Sequence, residues 1–245
     1  MIRAVLAALA AALLCSPAAG GSRLVEPQLH LERSPTGGRR VALTLDACSR
    51  ATDTRILSAL VENAIPATIF VTARWLMRNP DAVRLLLAHP DLFEIENHGA
   101  RHVPAVDEAV RIYGIAAAGS PQAMVAEVEG GASGMTALGF EKPRWFRGAT
   151  AKYTPSAIAE IRRMGYRVAG YSLNADQGAT LGATSVEKRV AAAKDGDVII
   201  AHVNQPTHPA GAGLVKGLLR LKADGATLVR LADVVETGTD GTVSP

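Results

Sequence analysis

Leu92-Phe93-Glu94-Ile95-Glu96-Asn97-His98-Gly99-Ala100-Arg101-His102 is the stretch on which the reading of the whole chain turns. Its first four residues read as a buried strand. The two histidines, four positions apart, fall where that strand gives way to a loop or helical turn. Imidazoles so placed can face one point and offer two nitrogens to a metal such as zinc. Taken alone, the pair is better read as a helix cap contacting Glu96 or Asn97. The setting, however, recurs. Asp46 ends the run from Val41, Arg147 ends the run from Pro143, Asp176 follows the run from Val168, and His202 ends the run from Val198. Five strand-like runs each carry a reactive side chain at the C-terminal end, where barrels of parallel strands build their active sites.

Working outward, strand patterns fall at 41–46, 68–72, 92–95, 144–146, 166–173, 197–201 and 227–231. Between them lie helical patterns at 53–64, 81–89, 120–138, 154–164, 185–194 and 215–223. Asn79-Pro80 and Thr154-Pro155 mark helix starts, Gly165 marks a stop, and Gly130-Gly131 weakens the long helix. This alternation predicts an α/β chain of parallel strands joined by helices, enough to close or nearly close a barrel. A doubly wound open sheet is the alternative. No Gly-rich phosphate loop follows the first strand, which counts against its nucleotide-binding version.

Apolar residues at 48% and charged residues at 20% describe a chain able to bury a core, and its 245 residues suit one large α/β domain. Aromatics at 4% argue against a sugar site built from many stacking rings. A net charge of +3, with dispersed lysines and arginines, reads as a solvated surface and not as a nucleic-acid footprint. Met1-Ile2-Arg3, the apolar run 4–14 and the small residues Ser16-Pro17-Ala18 predict a secretory signal peptide over 1–20. The run is too short for a membrane span, so an exported protein, periplasmic or secreted, without stable membrane insertion after cleavage is expected. An arm at 21–39, a catalytic domain at 40–236 and a tail at 237–245 complete the division. His30 falls in the arm and is expected to be unstructured. Cleavage removes Cys15 and leaves Cys48 as a lone thiol, read first as a small buried residue.

Five motifs in order carry a resemblance. They are Thr44-Leu45-Asp46-Ala47-Cys48, His98-Gly99-Ala100-Arg101-His102, Arg147-Gly148-Ala149-Thr150, Asn174-Ala175-Asp176-Gln177 and Ile200-Ala201-His202. Their order resembles the polysaccharide deacetylase family, also called the NodB homology domain or carbohydrate esterase family 4. Its motifs read T-F-D-D-G, H-[S/T]-x-x-H, R-x-P, an aspartate motif and L-x-H. The resemblance spans roughly 40–231. It implies a distorted (β/α) barrel of about seven parallel strands and metal-dependent removal of N- or O-linked acetyl groups from a glycan. It also implies Asp46 as general base, His202 as general acid, Arg147 orienting Asp46, and His98 and His102 as metal ligands. Asp176 could fix the tautomer of His202, or could simply cap the turn before Gly178. The metal is divalent, zinc first, with cobalt or manganese as alternatives. A small non-sugar amide as substrate, or an inactive glycan-binding barrel, are the competing readings.

Departures from the pattern fall at the metal. The second aspartate of T-F-D-D-G, a ligand in that family, corresponds to Ala47, which cannot bind metal. Two histidines alone make a weak site. Asp46 by a local shift, Cys48 or Asn97 could supply the third ligand, and a thiolate would favour zinc over harder ions. Arg147-Gly148-Ala149 lacks the proline of R-x-P, and Asn174 stands where aspartate is usual.

Overall fold

The computed structural model describes residues 23–33 and 37–238. The leader expected at 1–20 and the end of the tail lie outside the described residues. The expected alternation is present. A short strand β1 (Leu29–Leu31) precedes the long β2 (Arg39–Ala47), followed by α1 (Thr54–Glu62), β3 (Ala67–Val71), α2 (Ala73–Arg78), α3 (Pro80–Ala88) and β4 (Phe93–Asn97). A hairpin of β5 (Arg111–Ile112) and β6 (Ile115–Ala116) intervenes before α4 (Pro121–Thr136), β7 (Trp145–Phe146), α5 (Pro155–Arg163), β8 (Arg167–Val168) and β9 (Leu173–Asn174). The chain continues with α6 (Ala183–Ala191), β10 (Val198–His202), α7 (Ala210–Ala223), β11 (Ala226–Val229) and β12 (Glu236–Gly238).

Seven strands form one parallel path in the order β8-β7-β4-β3-β2-β10-β9, and β11 pairs with the first half of β2. The single strand expected at 166–173 is two short ones that belong to opposite edges. Ala169 N–H donates to Phe146 O, on the β7 side, while Ser172 N–H donates to Val198 O, on the β10 side. One run of chain therefore leaves one edge of the sheet and joins the other, bridging the open barrel. Gly170 lies at the change of partner. A Cβ there would sit 2.2 Å from Pro27 O, so the N-terminal arm can cross the bridge only over a glycine.

Strand alternation sorts the side chains into two layers. Along β2, Leu43, Leu45 and Ala47 join the outer core beneath the helices, where α6 packs on α7. Ala42, Thr44 and Asp46 take the opposite face, inside the barrel. The arm is not loose. Leu29 and Leu31 enter the barrel interior with Phe70, Trp145, Val198 and Leu231. His30 between them is exposed and bridges to Asp197, and β1 pairs antiparallel with β12. The expectation of an unstructured His30 is thus corrected, because an apolar-polar-apolar triplet suits an edge strand.

The helices follow their caps. Ser120 and Thr154 accept from Ala123 N and Ala157 N, each followed by proline in the first turn. Gly130-Gly131 does not interrupt α4. A Cβ at Gly131 would lie 2.1 Å from Asn97 Oδ1 and 2.7 Å from the Gly99 carbonyl carbon. The pair costs some helix propensity, but it lets α4 press against the loop that carries the histidines.

Candidate metal and catalytic centre

The six singled-out residues, Asp46, His98, His102, Arg147, Asp176 and His202, come together at or just beyond the C-terminal ends of the parallel strands, where the strand-like runs placed them. Arg147, fully buried just after β7, donates from Nη1 to Asp46 Oδ1 (3.0 Å) and to Thr44 Oγ1 (2.9 Å). Its Nη2 donates to Gly170 O (2.8 Å), and its guanidinium lies 4.3 Å from the centre of the Phe70 ring. A buried arginine so fully engaged is a fixed positive charge. Burial would push the Asp46 carboxyl up, but His98, Arg147 and His202 outweigh it and hold the group below its ordinary value. Asp46 is therefore kept ionised.

His98 Nδ1–H donates to the backbone carbonyl of Arg147 (2.5 Å). That bond leaves Nε2 unprotonated and aimed away from the strand, the usual preparation of a metal-binding imidazole. Nε2 is 3.6 Å from Cys48 Sγ and 3.8 Å from Asp46 Oδ2. His102 follows through a loop with positive φ at Gly99 (90°) and at His102 itself (66°), and its ring centre is 5.1 Å from that of His98. The loop is pinned from below by Glu127 of α4, whose Oε1 accepts from Arg101 N and Val103 N. One ligand atom each from Cys48, His98 and His102 lie within 4.8 Å of one another.

This trio makes Cys48 the candidate for the ligand missing at Ala47. Ala47 faces the outer core, so the family's second aspartate has no counterpart in the cavity. Cys48, one residue on, returns to the inner face. Its carbonyl accepts from the Thr72 hydroxyl, which ties the end of β2 to β3. Asn97 is committed elsewhere: its Oδ1 accepts from Gly99 N and its Nδ2 donates to Val128 O. Asp46, expected both as base and as a candidate ligand, stands beside the trio with one oxygen held by Arg147.

A thiolate, two neutral imidazoles and an open side make a donor set that fits a divalent ion of zinc's type, with three protein ligands and a free position. Burial first, then His98, carries His102 down to about 3. Burial also holds His98 below its ordinary value, so both rings are neutral and ready near pH 7. The Cys48 thiol is pushed well above its usual value, by burial and by the carboxylates of Asp46 and Asp176.

Across the cavity, His202 at the end of β10 is held twice by Asp176. Its Nδ1–H donates to Oδ1 (2.9 Å) and its backbone N–H to Oδ2 (2.8 Å). Asp176 also accepts from Gly178 N, so the turn cap and the orienting role are the same carboxylate. Burial works against a charged His202, but the attraction and hydrogen bond of Asp176, with help from Asp46, raise its value overall. Asp46, Cys48, His102 and His202 all line one cavity of about 650 Å³. Thr44, quoted in the first motif without a role, holds Arg147, and Glu127, outside every motif, holds the histidine loop. Thr44 was reachable, since it lies two residues before Asp46 on the same face, whereas Glu127 carries no signal in its own helix.

With the geometry in place, comparison with known proteins is direct. Residues 33–169, more than half of the chain, match the family model described as polysaccharide deacetylase. The chain belongs to the polysaccharide deacetylase family. Among solved structures, this family member is similar to a T48 deacetylase with substrate (TM-score 0.63, 20% identity, covering 80% of this chain and 89% of that one). It is similar to a family 4 carbohydrate esterase from Streptomyces lividans in complex with acetate (TM-score 0.61, 18% identity, 78% and 92%). It is also similar to a family pseudoenzyme from Bacillus anthracis (TM-score 0.63, 17% identity, 82% and 67%). At these identities the likeness shows the fold, the open (β/α) barrel. No curated protein matches in sequence. No helix among the described residues is long and apolar enough to cross a membrane.

Proposed function

We propose that this polysaccharide deacetylase family member is an active, metal-dependent hydrolase that removes N- or O-linked acetyl groups from a cell-envelope or extracellular polysaccharide. One observation carries the reading. Two prepared pairs, Asp46 with Arg147 and His202 with Asp176, meet at one cavity beside the Cys48, His98 and His102 trio. A divalent ion held by that trio, zinc being the best match to a thiolate and two imidazoles, would supply a Lewis acid toward the acetyl carbonyl oxygen and acidify nearby water.

The chain's own groups supply the proton transfers. Asp46, ionised and oriented by Arg147, takes a proton from the attacking water as its oxygen bonds to the acetyl carbon. His202, protonated and held through Nδ1, gives the proton on Nε2 to the leaving nitrogen or oxygen as the bond to the acetyl carbon breaks. Asp46 and His202 are thus a base kept charged and an acid kept protonated at the same pH, the pairing acyl hydrolysis needs. A cavity of about 650 Å³ exceeds the need of a small amide and suits a sugar unit. The relatives described with substrate and with acetate agree with this reading. Export to the periplasm or beyond, proposed from the N-terminal leader, would place the enzyme with such a polysaccharide.

The test is acetate release. Zinc-loaded protein should liberate acetate from an acetylated glycan, and Asp46→Asn should lower the rate roughly 10²- to 10⁴-fold. Zinc-loaded parent that leaves every acetylated glycan untouched would end the proposal.

A further inference from the structure

Beyond His102 lies a second hollow, of about 400 Å³, that shares this histidine with the main cavity. Its walls carry Arg74, from the first turn of α2, and Arg101, from the loop between the two histidines. Small side chains such as Ala117 and Ala118 complete it, and no carboxylate lines it. Several surface arginines are paired within one helical turn, as Arg84 is with Asp81 and Arg163 with Glu160. Arg74 differs. Its backbone N–H donates to Ala100 O, and its guanidinium has no hydrogen-bond or ion-pair partner among the described residues. Arg101 reaches Glu127 only at 3.8 Å, with two-thirds of its side chain exposed (67%). Glu127 takes the backbone N–H groups of Arg101 and Val103 on Oε1, and its buried Oε2, with no hydrogen bond of its own, faces Arg101. With Arg101 loosely matched by Glu127, the hollow holds at Arg74 a positive charge that no carboxylate among the described residues pairs, in a recess next to a proposed metal ligand.

Guanidinium groups in a recess recognise planar or tetrahedral oxyanions through paired N–H donors. A glycan whose acetyl group sits in the main cavity and which continues past His102 would bring a neighbouring sugar into this recess. We infer that the hollow is an anion subsite, taking a carboxylate or phosphate on the sugar next to the acetylated unit, so that the preferred substrate is an acidic glycan. The inference rests on the deacetylase reading and adds the substrate's charge to it.

The experiment uses the zinc-loaded full chain and three N-acetylated oligosaccharides of equal length: one neutral, one with carboxylates on alternate sugars, one with phosphates there. The parent should process one acidic oligomer with kcat/KM roughly 10- to 100-fold above the neutral one, the range a charge-assisted hydrogen bond supports. Added salt should shrink that preference. Arg74→Gln should reduce the acidic-to-neutral ratio by a similar factor, acting through KM. Which acidic oligomer is favoured identifies the anion. Equal use of neutral and acidic oligomers by the parent, or an unchanged ratio in Arg74→Gln, overturns the subsite. Should the parent release acetate from none of the three, the deacetylase reading fails separately. Direct binding titrations of the zinc-loaded parent and Arg74→Gln with the same oligomers then decide the subsite: a preference for acid that Arg74→Gln removes supports it, and no preference refutes it.

Discussion

Cys48→Ser gives the sharpest consequence of a thiolate ligand, because the structure assigns the protons in advance. Without metal, His102 is held at about 3 and His98 below its ordinary value, so neither ring has a proton to lose near neutrality. Cys48 is the opposite case, a buried thiol pushed well above its usual value beside Asp46 and Asp176. Between about pH 7 and 8.5 it is protonated, and metal entry must expel that one proton. Linkage then requires zinc binding to tighten about tenfold per pH unit, or about 1.4 kcal/mol, across that interval. Serine in place of Cys48 should flatten the dependence and weaken binding at least tenfold, since even a change next to a metal ligand costs about 10- to 100-fold. Competition with a chromophoric chelator at several pH values measures both, and release of about one proton per zinc in weakly buffered solution checks the count. Cobalt adds a spectroscopic reading: a sulfur-to-metal absorption band in the parent that Cys48→Ser lacks. A pH-independent affinity in the parent, or equal affinities for the two proteins, would refute the thiolate ligand.

Other outcomes follow from the same geometry. His202→Ala should retain its zinc and lose roughly 10²- to 10⁴-fold in turnover; loss of zinc by elemental analysis would make it a ligand instead. Asp176 raises the value of His202, so His202 stays protonated to higher pH than an ordinary histidine. Asp176→Asn should lower it and move the alkaline limb of the kcat/KM profile to lower pH, and an unmoved limb would separate that limb from His202. Arg147→Met leaves Asp46 buried without its cation and should cost about 3–5 kcal/mol. In thermal unfolding that is a drop of about 6–20 °C. Ala47→Asp places a carboxylate in the apolar layer of Leu45, Val71 and Val203. It should destabilise the fold by about 3 kcal/mol or more without tightening zinc, which calorimetry and metal titration would check.

The parts of the fold legible in sequence were those with a strong local period. The central strands β2, β3 and β10 contain runs of apolar and β-branched residues, β4 alternates apolar with acidic residues, and their pairing follows from parallel alternation. What escaped was set by distant partners. The bridge from β8 to β9 changes neighbours at Gly170 because the arm crosses there, and nothing within 166–173 announces that. Six-residue α2 is too short for a helical period to emerge. At the site, each of Asp46, His98, Arg147, Asp176 and His202 was visible as a reactive residue at a strand end. Cys48 was one of three candidates for the third ligand there, and counting by twos from Asp46, which passes over Ala47 and lands on Cys48, favours it. Glu127 and Arg74 were not visible, since neither falls in a motif and only tertiary packing brings them to the histidine loop.

The central claim is that the trio, the base and the acid form one working centre, and acetate release tests it most directly. Stoichiometric zinc should allow the protein to free acetate from an acetylated polysaccharide, a chelator should abolish the release and zinc restore it, and Asp46→Asn with zinc bound should lose it. Full zinc occupancy without acetate from any acetylated glycan, or acetate release that survives both zinc removal and Asp46→Asn, would contradict the account.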